Sequence, residues 1–292
     1  FAGQPLAEHA PIGTVDTLKA ATAAKMEAFH QRWYRPENTV IAISGDIDPA
    51  IAEQLIKDNF GNWTAPGKGA AIPDFGAPDP KAPATRVFVE PGVPVSLTMA
   101  WLRPWTPHAD TIVYNQDKLT DMLALQIVSR RLEQAARSGG SFLQASVEQQ
   151  DVSRSADGTF VSIIPSNDDW QKALRDVRAI IEDAKAAPPS QAEIDREYAQ
   201  MDTALAIQVE NAPTEAGAKQ ATDLVSAVDI RETTVSPQAA VEIFRAGKPA
   251  MTPQKILDST QRLFSAGVFR AMLVTSKVEP GQDERLAAAL VA

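Results

Sequence analysis

Few residues in this chain are spaced for chemistry. The three histidines stand at 9, 30 and 108, and no two lie four residues apart, so no helix presents them as a metal-binding pair. Cysteine is absent, which removes disulfides and thiolate-bound zinc. Neither a glycine-rich phosphate loop nor a serine nucleophile elbow is present. His9 and Glu8 are neighbours in a loop, a poor arrangement for converging on one ion. His30 precedes Tyr34 by one turn and reads as a helix-surface or packing residue. Asp110, after Pro107 and His108, reads as a helix cap. Asp46 and Asp48 form a carboxylate pair, yet turn and N-cap duties account for both. Trp101 and Trp105 flank Arg103-Pro104 and suit a domain interface better than a substrate groove. Arg130, Arg131 and Arg137 remain. Guanidinium forks match carboxylates, although these three also complement the negative end of the helix that carries them.

The bulk properties narrow the partners. A net charge of -9 argues against nucleic acid, which requires a surplus of Lys and Arg. No run of apolar residues is long enough to cross a bilayer. The lack of cysteine fits a periplasmic or secreted protein, and it is compatible with the cytoplasm. The chain opens at Phe1 with no leader pattern and reads as an excised piece of a longer protein. Its 292 residues suit one large or two medium domains.

The positioning elements follow from periodicity and punctuation. Residues 13–33 are expected to form a helix capped by Thr14 or Asp16 and stopped by Pro36. The β-branched run 39–44 (TVIAIS) is expected to be a central strand buried on both faces. Gly45-Asp46 turns the chain, Asp48-Pro49 opens a helix, and Gly61 closes it. Residues 64–85 hold five prolines and three glycines and read as a linker region. Strands are expected at 86–90, 95–102, 141–149, 159–164 and 267–275, with a polar turn at Asp157-Gly158. Helices are expected at 119–137, at 168–184 and from a capping box at Ser190 and Glu193, with others near 215, 236 and 252. The alanine-rich tail is expected to fray. The assignment is an α+β fold, a mixed and mostly antiparallel sheet with helices mainly on one face. The domains are placed at 1–75 and 86–292, joined by a linker at 76–85.

An ordered set of motifs spans about 50 residues of the first domain. It comprises Pro11-Ile12-Gly13-Thr14, then Phe29, then Trp33-Tyr34-Arg35-Pro36-Glu37-Asn38, then Gly45-Asp46-Ile47-Asp48, and finally Phe60-Gly61-Asn62-Trp63. This order resembles the M16 (insulinase, pitrilysin and mitochondrial-processing-peptidase-like) zinc metallopeptidases, whose domains share the M16/LuxS-like metallohydrolase fold. The resemblance makes residues 1–75 the C-terminal part of a first such domain and 86–292 a second. It assigns structural duties to Pro11, Gly13, Thr14, Tyr34, Pro36, Asn38, Gly45, Asp46, Asp48, Gly61 and Trp63. The family's His-x-x-Glu-His helix is not in these residues, so no catalytic or metal-binding residue is assigned here and zinc is expected in the intact parent. Some M16 domains carry an Arg and a Tyr that contact substrate backbone. The matching stretch here holds Arg137 and, in place of Tyr, Phe142, which has no hydroxyl to donate. The resemblance therefore implies the second domain of a longer, four-domain chain or a non-catalytic paralogue, not the substrate-contacting domain of a two-domain enzyme. Arg137 and Phe142 are kept as the substrate-binding candidates. The resemblance implies a non-catalytic part of a zinc endopeptidase that walls a peptide chamber. Its partners would be a peptide or unfolded polypeptide and the remaining M16 domains of the parent or a partner subunit. The alternative is an inactive M16-like scaffold subunit paired with an active one. In either case the isolated chain is expected to be inactive.

Overall fold

The computed structural model describes residues 2–8, 11–265 and 267–291. The chain divides into two compact units. The larger comprises Phe1–Gln4, Gly76–Glu210 and Val235–Ala292, and the smaller comprises Pro5–Phe75 and Asn211–Thr234. The segment Asn211–Thr234 therefore groups with the motif-bearing unit, not with the remainder of 86–292.

The larger unit is built on a five-stranded sheet. Its strands are β1 (Thr85–Val89), β2 (Ser96–Pro104), β3 (Phe142–Val152), β4 (Ala156–Pro165) and β5 (Val268–Thr275), in the order β1-β5-β2-β4-β3. Only β1 and β5 run parallel; the other pairs are antiparallel. Alternation along the strands sets the layers. Leu97, Met99, Val161, Ile163 and Leu273 face a core shared with α4 (Ile112–Arg137), α5 (Trp170–Ala186) and α9 (Pro253–Ser265). On the opposite face Met272 and Ile164 are exposed. Residues 191–211, opened by the Ser190–Glu193 capping box, form α6 (Gln191–Asn211). Further helices are α7 (Gly217–Ile230), α8 (Pro237–Gly247) and α10 (Gln282–Val291).

Several local expectations are corrected. The helix expected over 13–33 is two, α1 (Val15–Lys19) and α2 (Ala23–Trp33), because Thr22 restarts it by accepting the Lys25 N–H at 3.3 Å. α4 begins at Ile112, capped by Thr111 and not by Asp110, which accepts from the Asn115 amide. The β3–β4 turn is Ser153-Arg154, both at positive φ, and Asp157 and Gly158 lie inside β4. There the glycine serves close packing, since a Cβ on Gly158 would stand 2.3 Å from the Phe160 ring. The tail forms α10 and does not fray; Leu286 is fully buried against the core.

In the smaller unit, α3 (Pro49–Phe60) starts at the predicted Asp48 cap and ends at Gly61. Residues 39–44 belong to no ladder, and Val40, Ile41 and Ile43 are exposed. A strand needs a partner edge, and this run pairs with none of the described strands. Among the described residues of this unit only Arg35 and Ala52 are buried.

Candidate functional site

The two edges of the sheet are treated differently. At β1, the Val87 N–H donates to the Asp283 carboxylate of α10 at 3.0 Å, and α10 packs along the strand. That side chain occupies a main-chain donor which an incoming strand would otherwise use. β3 has no strand on its outer side among the described residues. It is eleven residues long, reads FLQASVEQQDV, and contains neither the lysine nor the proline that commonly guards an exposed edge.

A groove of about 590 Å³ lies between α4 and residues 143–147 of β3. Helical spacing brings Gln126, Ser129, Arg130, Glu133 and Arg137 to one side of α4, where they line it. Its apolar contributions are small side chains, Ala136, Ala145 and Val147, with Leu143 exposed at the rim. At about 1.5 Å per helical residue and 3.4 Å per strand residue, both walls run about 17 Å, the span of some five extended residues.

The polar wall is an ion network. Arg130 bonds Glu133 at 2.8 Å, Glu197 at 3.2 Å and Gln200 at 2.5 Å. Glu197, fully buried, also accepts from Arg196 at 2.9 Å. Hydrogen bonding to Glu197 raises the Arg130 pKa. Glu133 turns its other oxygen to Arg137, at 2.6 Å. Arg131 is engaged apart from these, by Glu193 at 3.0 Å. The α4–β3 turn is pinned from below, because Ser141 donates to Asp176 of α5 at 2.6 Å. Bonds from Lys172 and then Ser141 hold the Asp176 carboxyl below its usual range.

The two substrate-binding candidates part company. Arg137 projects from the end of α4 with its side chain 72% exposed. Phe142, five residues on, is 1% exposed, its ring in the core. From there it anchors the start of β3 and offers the groove no contact. Trp101 packs edge-on against Phe264 and Phe269 at the rim of the core and stays partly buried. His108 stacks on Tyr114, His30 stacks on Tyr34, and His9 lies outside the described residues. No three His, Asp or Glu side chains among the described residues converge as a metal site, so these residues do not fit a catalytic zinc. No described helix is long and apolar enough to cross a membrane.

The motif residues of the smaller unit take local duties. Gly13 has φ +71 and Gly45 φ +154. Thr14 caps α1, and the Asp48 carboxylate accepts from the Ala50 N–H at 2.7 Å. Pro36 opens a short 3₁₀ turn, and Asn38 donates to the Trp33 carbonyl at 3.2 Å. Trp63 packs on Phe60 at 6.1 Å, while Pro11, Tyr34 and Asp46 are exposed. Sequence reading gave no duty to Arg35, which is 4% exposed and ties the end of α2 to the carbonyls of Pro66 and Gly67 at 3.0 and 2.7 Å. Its only signal was its place within the Trp33–Asn38 motif.

Comparison with known proteins gives a consistent set. Residues 20–201 match the family model described as Peptidase M16 inactive domain. The chain is 43% identical over 58 residues to "Probable zinc protease PqqL" of Escherichia coli (strain K12), covering 20% of this chain and 6% of that protein. It is 26% identical over 136 residues to "Zinc protease PQQL-like" of Arabidopsis thaliana, covering 46% of this chain and 14% of that protein. Among solved structures, the first half of the periplasmic protease PqqL from Escherichia coli superposes with a TM-score of 0.80 at 20% identity, over 97% of this chain and 61% of that one. A peptidase M16 inactive domain from Pseudomonas fluorescens gives 0.67 at 16% identity, over 92% and 61%. At these identities the superpositions speak to fold. The chain thus spans a small fraction of its curated relatives and about three fifths of these solved chains.

Proposed function

Since this chain belongs to the peptidase M16 family, through a match to its inactive domain, we propose that the larger unit is a peptide-docking wall of an M16 zinc endopeptidase. An extended segment of substrate adds to β3 as a sixth strand, with its inward side chains over the α4 groove. The carrying observation is the asymmetry of the edges: β1 is occupied by Asp283 and α10, whereas β3 lies open beside a groove of matching length. Main-chain pairing binds many sequences, because every peptide offers the same donors and acceptors. Water activation at zinc belongs to another part of the parent protein. The exposed apolar run 39–44 of the smaller unit is where further M16 structure, from the parent or a partner subunit, packs. The naming of a solved relative as periplasmic and the lack of cysteine support a periplasmic setting. An inactive scaffold subunit would use the same edge, and nothing observed favours it over the first reading.

The test is backbone-specific. A fluorescein-labelled, unstructured heptapeptide of Ser, Thr and Val is titrated with the chain and followed by anisotropy. The same peptide methylated at alternate amides should bind at least about tenfold more weakly, each lost main-chain bond being worth about 1 kcal/mol. Equal binding of the two peptides would overturn strand addition.

A further inference from the structure

We infer that the turn end of this groove selects a carboxylate, with Arg137 as its receptor. The inference rests on the strand-addition reading and adds a chemical preference to it. The first support is a charge surplus. The network at this wall contains three guanidiniums, Arg130, Arg137 and Arg196, and two carboxylates, Glu133 and Glu197. Glu197 is buried between Arg130 and Arg196. Glu133 is divided between Arg130 and Arg137. One positive charge is left over, in a chain whose net charge is -9.

The second support is access. Arg130 is held on three sides and its side chain is 26% exposed, so it serves as scaffold. Arg137 has a single bond, to Glu133, and is 72% exposed at the mouth of the groove beside Leu143. A guanidinium fork with free N–H groups can accept a second carboxylate without releasing the first. The third support is rigidity. Arg137 is the last residue of α4, Gly139 at φ +80 turns the chain after it, and Ser141 bonded to Asp176 fixes the start of β3, so the backbone carrying Arg137 is held where the helix meets the strand. A strand lying on β3 therefore meets this cation at one defined end. The carboxylate can be an Asp or Glu side chain or the peptide's C-terminus, and these are separable.

The experiment uses four labelled heptapeptides on the same Ser/Thr/Val frame: free C-terminus, amidated C-terminus, amidated with Asp near one end, and its Asn counterpart. The first or third should bind about threefold to fivefold tighter than its neutral partner, as for a largely exposed ion pair, and whichever does so identifies the source. The preference should fade near 1 M salt, where screening reaches about 3 Å. Arg137→Gln should abolish the preference while leaving the neutral peptides' binding intact. Arg137→Glu should transfer it to a Lys-bearing peptide, which a merely structural role would not produce. If all four peptides bind alike and Arg137→Gln changes nothing, the carboxylate preference is wrong and strand addition stands. If none binds, both fail.

Discussion

At the residue scale, Asp176 governs the groove without lining it. Its Oδ2 accepts from both Lys172 and Ser141, and these bonds depress its pKa. A depressed carboxylate contributes stability above its unfolded pKa, near 3.9, and that contribution is lost as pH falls through the folded value. Asp176→Asn is therefore expected to cost a few tenths to about 1 kcal/mol at pH 7, the modest figure reflecting a side chain 40% exposed. Near pH 2–3 wild type and variant should lose that difference. Thermal melts at the two pH values check it, and a difference that persists in acid would contradict this origin. Arg103 and Asp157, in register on β2 and β4, show the opposite balance. Burial is the leading cause for both, lowering the arginine and raising the carboxyl, so their attraction does not recover the cost of leaving water.

At the element scale, the sheet depends on close backbone approaches. Gly267 leads into β5 at φ +91, and a Cβ there would come within 2.1 Å of the Leu102 carbonyl oxygen. Gly267→Ala thus meets positive φ and a backbone clash together, for an expected loss of about 2–3 kcal/mol in denaturant unfolding. The strands and most helices were legible because their signals are local. Alternation places Leu97, Met99, Val161 and Ile163 on the core face, and Asp48-Pro49 and Ser190–Glu193 mark helix starts. Misreadings arose where a local signal had a second use. Asp157-Gly158 looks like a hairpin turn, yet Gly158 makes room for Phe160. Residues 39–44 look like a buried strand, but burial also requires a partner edge. The first two turns of α4 carry exposed Ile112 and Val113, so no apolar phase marked them.

At the scale of the molecule, the two units differ in how far they satisfy themselves. The larger has a continuous core from the sheet to α4, α5 and α9. The smaller exposes Leu18, Met26, Phe29, Val40, Ile43 and Leu55, a surface more extensive than scattered single residues. The candidate site was only half legible. Arg137 could be picked out as a cation at a helix end, but the open edge of β3 follows from strand order, and strand order is set by β1 and β5 pairing across about 190 residues. The blocking of β1 by Asp283 was likewise invisible, since it joins a strand to a helix at the far end of the chain. The account rests on that contrast between edges. Its most direct test is hydrogen–deuterium exchange of the chain with and without a saturating unstructured peptide. The account predicts added protection within 142–152 and none within 85–89. Protection confined to other segments, or none in β3 when the peptide is bound, would contradict it.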